Sequence, residues 1–342
     1  MYLRPSTKHF AAASIAVGMM VVLAVAPPPA ISWEEGPRLP VPRDHHHTFL
    51  LTSSDEARLC VAGGNVYWAI LGDVWCAAIQ ADGSLAPWLP EPPLPGGVAG
   101  GGLVVTDQAV LIVSGRDGDM RSTPHTLVGH REGTRITHWS EGPPLPDSLF
   151  HISAERVGDW VFAIGGSKGT EATTSVYRSR LGPGGAPTSW ESARSLPGPR
   201  SHHATFVYNG AVYVTGGLHG SPAGENTTLA DVLRARVGLD GTLGPWETIS
   251  TFDSTRVAHA AFVHDGHVYL VGGVESDTRF SETVQRSALL PNGDLGPWER
   301  TTPLPFGRGH THHTPRWRGH LYSVGGRTGN RVTGATVVGA LD

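Results

Sequence analysis

The sequence predicts an all-β fold, a propeller of six four-stranded blades, from three observations. A tryptophan returns at a nearly constant interval, an apolar strand ending in Gly-Gly returns with it, and the first and last units are each incomplete. The tryptophans are Trp33, Trp88, Trp139, Trp190, Trp246 and Trp298, spaced 55, 51, 51, 56 and 52 residues apart. Similar phrases introduce several of them, "DGSLAPW" at 82–88, "DGTLGPW" at 240–246 and "NGDLGPW" at 292–298.

Each unit reads as four strands. In the fourth, "HATFVYNG" at 203–210 alternates toward a turn and "AVYVTGG" at 211–217 completes a hairpin. "ADVLRARV" at 230–237 gives the third strand and "PWETI" at 245–249 the fourth. The fifth unit repeats this with "HAAFVHDGHVYLVGG" at 259–273 and "SETVQRSALL" at 281–290. The sixth has "HHTPRWRGHLYSVGG" at 312–326 and "RVTGATVVGAL" at 331–341 but no tryptophan strand, while "ISWEEGP" at 31–37 is a tryptophan strand without a unit. Pairing the two closes the ring and leaves no open sheet edge. Residues 31–342 are thus expected to form one propeller.

Composition agrees. Forty-five glycines, 27 prolines and only 16% charged residues suit short strands and tight turns better than long helices. A net charge of −4 without a basic block argues against nucleic acid as a partner. Residues 1–30 read as a signal peptide or an N-terminal anchor: Arg4 and Lys8 precede the uncharged run "FAAASIAVGMMVVLAVA" at 10–26. The rest of the chain is then expected in a secreted or periplasmic, oxidising setting, attached to membrane only if that segment stays uncleaved. Cys60 and Cys76 fall in neighbouring expected strands; a disulfide and two buried free thiols are both open.

The glycine pairs Gly63–Gly64, Gly165–Gly166, Gly216–Gly217, Gly272–Gly273 and Gly325–Gly326, the aromatic residue before many of them and the later tryptophan resemble kelch repeats. The second unit departs, with "VSG" at 113–115. The resemblance covers residues 31–342 and implies a six-bladed kelch-like β-propeller. It says less about function, because kelch propellers include oxidases, specifier proteins and binding modules. The oxidase branch uses a tyrosine cross-linked to cysteine on seven blades, which Cys60 and Cys76 within blade one do not support.

Histidine recurs at the start of the first strand. Aligning the units on the hairpin turn gives one position per blade: His46, Gly101, His151, His203, His259 and His312. First strands lie nearest the propeller axis, so these residues are expected to form one ring at one end of the channel. Five imidazoles in a ring suit a transition-metal ion, copper first, with zinc or iron as alternatives. Three or four ligands with an open position would make the centre catalytic. On the other reading, a kelch-type histidine after Pro-Arg bonds the neighbouring blade.

Strand alternation turns His45 and His202 away from that ring, and His310 could share the face of His312; these three, with Asp44, are expected as a second shell or substrate rim. Arg43, Arg200, Arg256 and Arg308 recur just upstream, as inter-blade salt bridges or carbonyl bonds, or as a positive rim for an anionic ligand. The expected function is an exported metalloprotein, a metal-dependent oxidoreductase in preference to a hydrolase or lyase. The partner would be a small molecule or peptide at the propeller mouth, and the protein a monomer. The alternative is a non-catalytic propeller that grips a peptide, glycan or protein through its loops.

Overall fold

A computed structural model describes residues 1, 30–220, 226–275 and 278–341. The expected signal segment lies outside the described residues, apart from its ends. The chain forms six antiparallel four-stranded sheets. Blade one runs His47–Thr52, Ala57–Ala62, Val74–Ala78 and Leu89–Glu91. Blade four runs Ala204–Tyr208, Ala211–Gly220, Asn226–Arg236 and Glu247–Thr251, close to the strands expected from sequence. In blade six the outer strand comes from the other end of the chain: Ile31–Gly36 pairs antiparallel with Thr336–Leu341, in register from Ile31 opposite Leu341 to Gly36 opposite Thr336. That pairing closes the ring.

The second strand of each blade is the most buried. Leu59, Val61, Leu111, Ile112, Phe162, Val212, Leu270 and Leu321 are all fully covered, packed between neighbouring sheets. Cys60 and Cys76 stand opposite each other on adjacent strands of blade one and form a disulfide.

The tryptophan period has a mechanical cause. Five of the six tryptophans, all but Trp33, donate their indole N–H to the chain four residues beyond the tryptophan of the preceding blade. Trp88 donates to the Pro37 carbonyl (2.9 Å), Trp139 to Pro92 (3.0 Å), Trp190 to Pro143 (3.1 Å) and Trp246 to Arg194 (3.2 Å). Trp298 donates to Ser250 Oγ at 3.0 Å. The repeated tryptophan and the proline-rich phrase after it are two halves of one inter-blade bond.

Candidate metal centre

Around the axis a closed ring of backbone hydrogen bonds joins all six blades. His45 N–H donates to the His310 carbonyl, Gly100 to His45, His151 to Gly100, His202 to His151, Ala258 to His202 and His310 to Ala258, at 2.6 to 3.1 Å. All six residues have left-handed backbone: φ is 52° at His45, 66° at Gly100, 52° at His151, 53° at His202, 53° at Ala258 and 58° at His310. Glycine is at ease there, whereas other residues are strained. Four of the six are nevertheless histidine, and His312, two residues beyond His310, has φ of 53° as well.

These five imidazoles cluster. The ring of His45 lies 4.8 Å from that of His151, 4.4 Å from His310 and 5.4 Å from His312, while His151 and His202 are 3.4 Å apart. Ring nitrogens of His45, His151 and His202 all lie within 4.8 Å of one another, and so do those of His45, His310 and His312. His45 belongs to both triads. Its Nδ1–H donates to Asp44 Oδ1 at 2.9 Å, which leaves Nε2 as the free lone pair. Asp44 is fully buried and also accepts from Arg327 Nε at 2.8 Å. Burial opposes the charge of Asp44, but the bonds and charges of His45 and Arg327 outweigh it and hold the carboxyl below its usual range.

His45 Nε2, His151 Nδ1, His310 Nδ1 and His312 Nε2 are buried without a hydrogen-bond partner. Burial, and after it the neighbouring imidazoles, hold His151, His310 and His312 well below the usual histidine range. His202 is held down in the same way. Neutral rings with unshared lone pairs gathered around one region are a donor set that fits a borderline transition-metal ion.

The sequence expectation needs correcting here. His46, His203 and His259 are one residue further along and do not join the axial triads. They are buried in the seams between blades. His46 Nε2–H donates to the Val324 carbonyl (3.0 Å) and His259 Nε2–H to Thr215 Oγ1 (2.8 Å). His203 and His46 fill space that glycine vacates: a Cβ on Gly165 would lie 2.7 Å from His203 Cε1, and one on Gly325 would lie 2.7 Å from His46 Cε1. Of the expected ring only His151 and His312 face the axial cluster, while His45, His202 and His310, expected as its periphery, belong to the cluster itself. The left-handed residue reverses the facing that alternation along an uninterrupted strand would give. The gap in the ring is accordingly at Gly100 and Ala258; Gly101 lies against His47 instead, its carbonyl 3.2 Å from His47 Nε2.

The four arginines do not form a positive rim. Arg43 makes a two-pronged ion pair with Asp73 (2.7 and 2.8 Å) and bonds the Gly63 carbonyl; Arg200 does the same with Asp231 and the Gly216 carbonyl. Arg256 bonds the Gly272 carbonyl and Ser254, and Arg308 bonds Ser323. All four are buried; Arg43, Arg200 and Arg256 hold the first glycine of the pair in their own blades, and Arg308 holds the strand just before it.

Above the cluster opens a cavity of about 360 Å³ lined by His45, His151, His202 and His310, and by Tyr67, Trp68, Arg116, Met120 and Phe150. On the other side a channel cavity of about 320 Å³ is bordered by His312, Phe49, Phe262 and Glu155. Burial raises Glu155 to about 7, against a hydrogen bond from Thr205 that lowers it. None of Tyr67, Trp68, Arg116, Phe150 or Glu155 was singled out from sequence. The available signal was "YW" at a hairpin tip where other blades have "GT" or "GN".

No family model matches the chain. Beta-scruin of Limulus polyphemus is 30% identical over 145 residues, covering 42% of this chain and 15% of the scruin. Kelch-like protein 40 of Xenopus tropicalis is 22% identical over 307 residues, 88% of this chain and 43% of that protein. The chain thus spans less than half the length of these curated relatives. The solved structure of YjhT aligns with a TM-score of 0.65 at 13% identity, covering 88% of this chain and 95% of that one, a likeness of fold. Fold and site together define a six-bladed β-propeller with weak similarity to kelch and scruin proteins and a histidine cluster at its axis. The cluster has the geometry of a candidate metal site.

Proposed function

We propose that this protein is an exported metalloenzyme whose single transition-metal ion is held at the propeller axis by His45 together with His151 and His202, or with His310 and His312. The observation that carries the reading is the set of buried imidazole nitrogens that face one another without partners. Four strained left-handed histidines add to it, since nothing in the backbone ring requires an imidazole there. Copper is the ion of choice because an all-imidazole site binds divalent copper ahead of zinc and iron; when bound it would supply redox or Lewis-acid chemistry. The chain's own part is to keep the proton of His45 on Nδ1 through Asp44, to hold the other rings neutral, and to leave one side open to the mouth cavity. The disulfide and the basic-then-apolar N-terminal segment support export.

A second reading, a binding propeller without chemistry, draws on Tyr67 and Trp68, which stand 59% and 83% exposed beside the mouth. Elemental analysis of untagged protein from the exported compartment tests the first. One ion per chain is the expected result. No ion, even after reconstitution with copper, zinc or iron, leaves the binding reading in its place.

A further inference from the structure

Among the described residues, one charge in the mouth cavity has no carboxylate to balance it. Arg116 and Arg327 occupy equivalent places in blades two and six, each bridged antiparallel to the residue just before the axial ring, Ala99 and Gly309. Each side chain crosses to the next blade. Arg327 meets the carboxylate of Asp44 there. At the corresponding place blade three has Phe150, and the Arg116 guanidinium lies over its ring, 3.6 Å from the centroid. The ring fixes the guanidinium in position but does not neutralise it. Among the described residues no carboxylate pairs with Arg116, and its Nε is buried without a partner.

The same cavity carries two aromatic side chains that packing does not explain. Tyr67 and Trp68 form the tip of the hairpin Asn65–Val66 and Ala69–Ile70 and are largely exposed. Tyr67 has φ of 52°, at a tip where the equivalent hairpins of blades three and six place Gly169 (62°) and Gly329 (56°). Tyrosine is strained in this conformation, and exposure offsets none of that strain.

We propose that the mouth binds an aromatic carboxylate of one or two rings, its carboxylate on the Arg116 guanidinium and its ring against Tyr67 and Trp68. A guanidinium pairs with a carboxylate through two parallel N–H bonds, and the cavity of about 360 Å³ matches a small ligand. This names the ligand class of the site proposed above and rests on that reading for its place, but its test needs no metal.

Metal-free protein is titrated by calorimetry with 2-naphthoate and with the uncharged 2-naphthamide, using the wild type, Arg116→Gln, Arg116→Lys and Trp68→Ala, each first shown folded by its melting curve. Naphthoate should bind at least tenfold more tightly than the amide. The preference should vanish in Arg116→Gln and partly survive in Arg116→Lys, while Trp68→Ala weakens both ligands. Equal binding of acid and amide, a preference unchanged in Arg116→Gln, or no binding at millimolar ligand overturns the inference. Uptake of copper, zinc and iron by the wild type is measured alongside. Metal uptake without naphthoate preference removes the ligand class and leaves the metal centre; naphthoate preference with none of the three metals bound does the reverse.

Discussion

At the scale of the residue, one backbone angle decides which histidines face the axis. His45, His151, His202 and His310 sit where φ is positive, a conformation that Gly100 adopts without strain in blade two. Replacing His202 by glycine should therefore leave the metal-free protein as stable as before, or more stable by up to about 1 kcal/mol, while weakening metal binding. Denaturant melts of the apoprotein and a metal titration check the two halves; a clear loss of apo stability would mean that the imidazole serves the fold. The same angle explains what the sequence could not disclose. The histidine doublets at 45–46 and 202–203 announce a special position, but alternation along an assumed strand assigns the seam to the wrong member of each pair. Arg116 escaped notice for a related reason, since its importance lies in Phe150 replacing a carboxylate on another blade.

Blades are joined by side chains that repeat with them. The tryptophans were legible in sequence as packing residues, and the structure adds that five of the six carry a directed bond to the preceding blade. Trp139→Phe keeps most of the apolar contact and loses the bond to the Pro92 carbonyl. It should lower stability by about 1 kcal/mol, read as a fall of a few degrees in Tm, because the half-buried carbonyl is left unpaired. An unchanged Tm would show that the indole N–H is satisfied elsewhere. The number of blades and the N-terminal closing strand were also readable, because an incomplete last unit and an orphan first strand have one economical solution. The arginines were readable only as alternatives: the partners Asp73 and Asp231 lie about thirty residues downstream, and no local pattern marks them.

Over the whole molecule, buried histidine makes the fold sensitive to acid. His46, His47, His203 and His259 are all at least 98% buried. Burial first, with nearby arginine for three of them, holds His47 at about 4, His203 at about 3, and His46 and His259 well below the ordinary value. The unfolded chain takes up protons on these rings below about pH 6.5, and the folded chain does not until pH is much lower. Stability is thus fully present above pH 6.5 and is lost as pH falls. Each ring contributes roughly 1.4 kcal/mol per pH unit below that point, so four rings at pH 5.5 approach the whole stability of a typical domain. Denaturant midpoints between pH 8 and 5 should fall steeply below 6.5; a flat profile would contradict the burial of these rings. Axial metal, bound to neutral imidazoles, should deepen this dependence because protons compete for the same nitrogens.

If axial and seam histidines have separate roles, metal binding and fold should separate in a copper titration of paired variants. Apoprotein carrying His45→Ala and His202→Gly is compared with apoprotein carrying His259→Ala, each confirmed folded at pH 8. The axial pair should lose stoichiometric copper while its fold is kept, and the seam variant should melt earlier yet bind copper as the wild type does. Copper retained by the axial pair, or lost from a folded seam variant, would contradict that separation of roles.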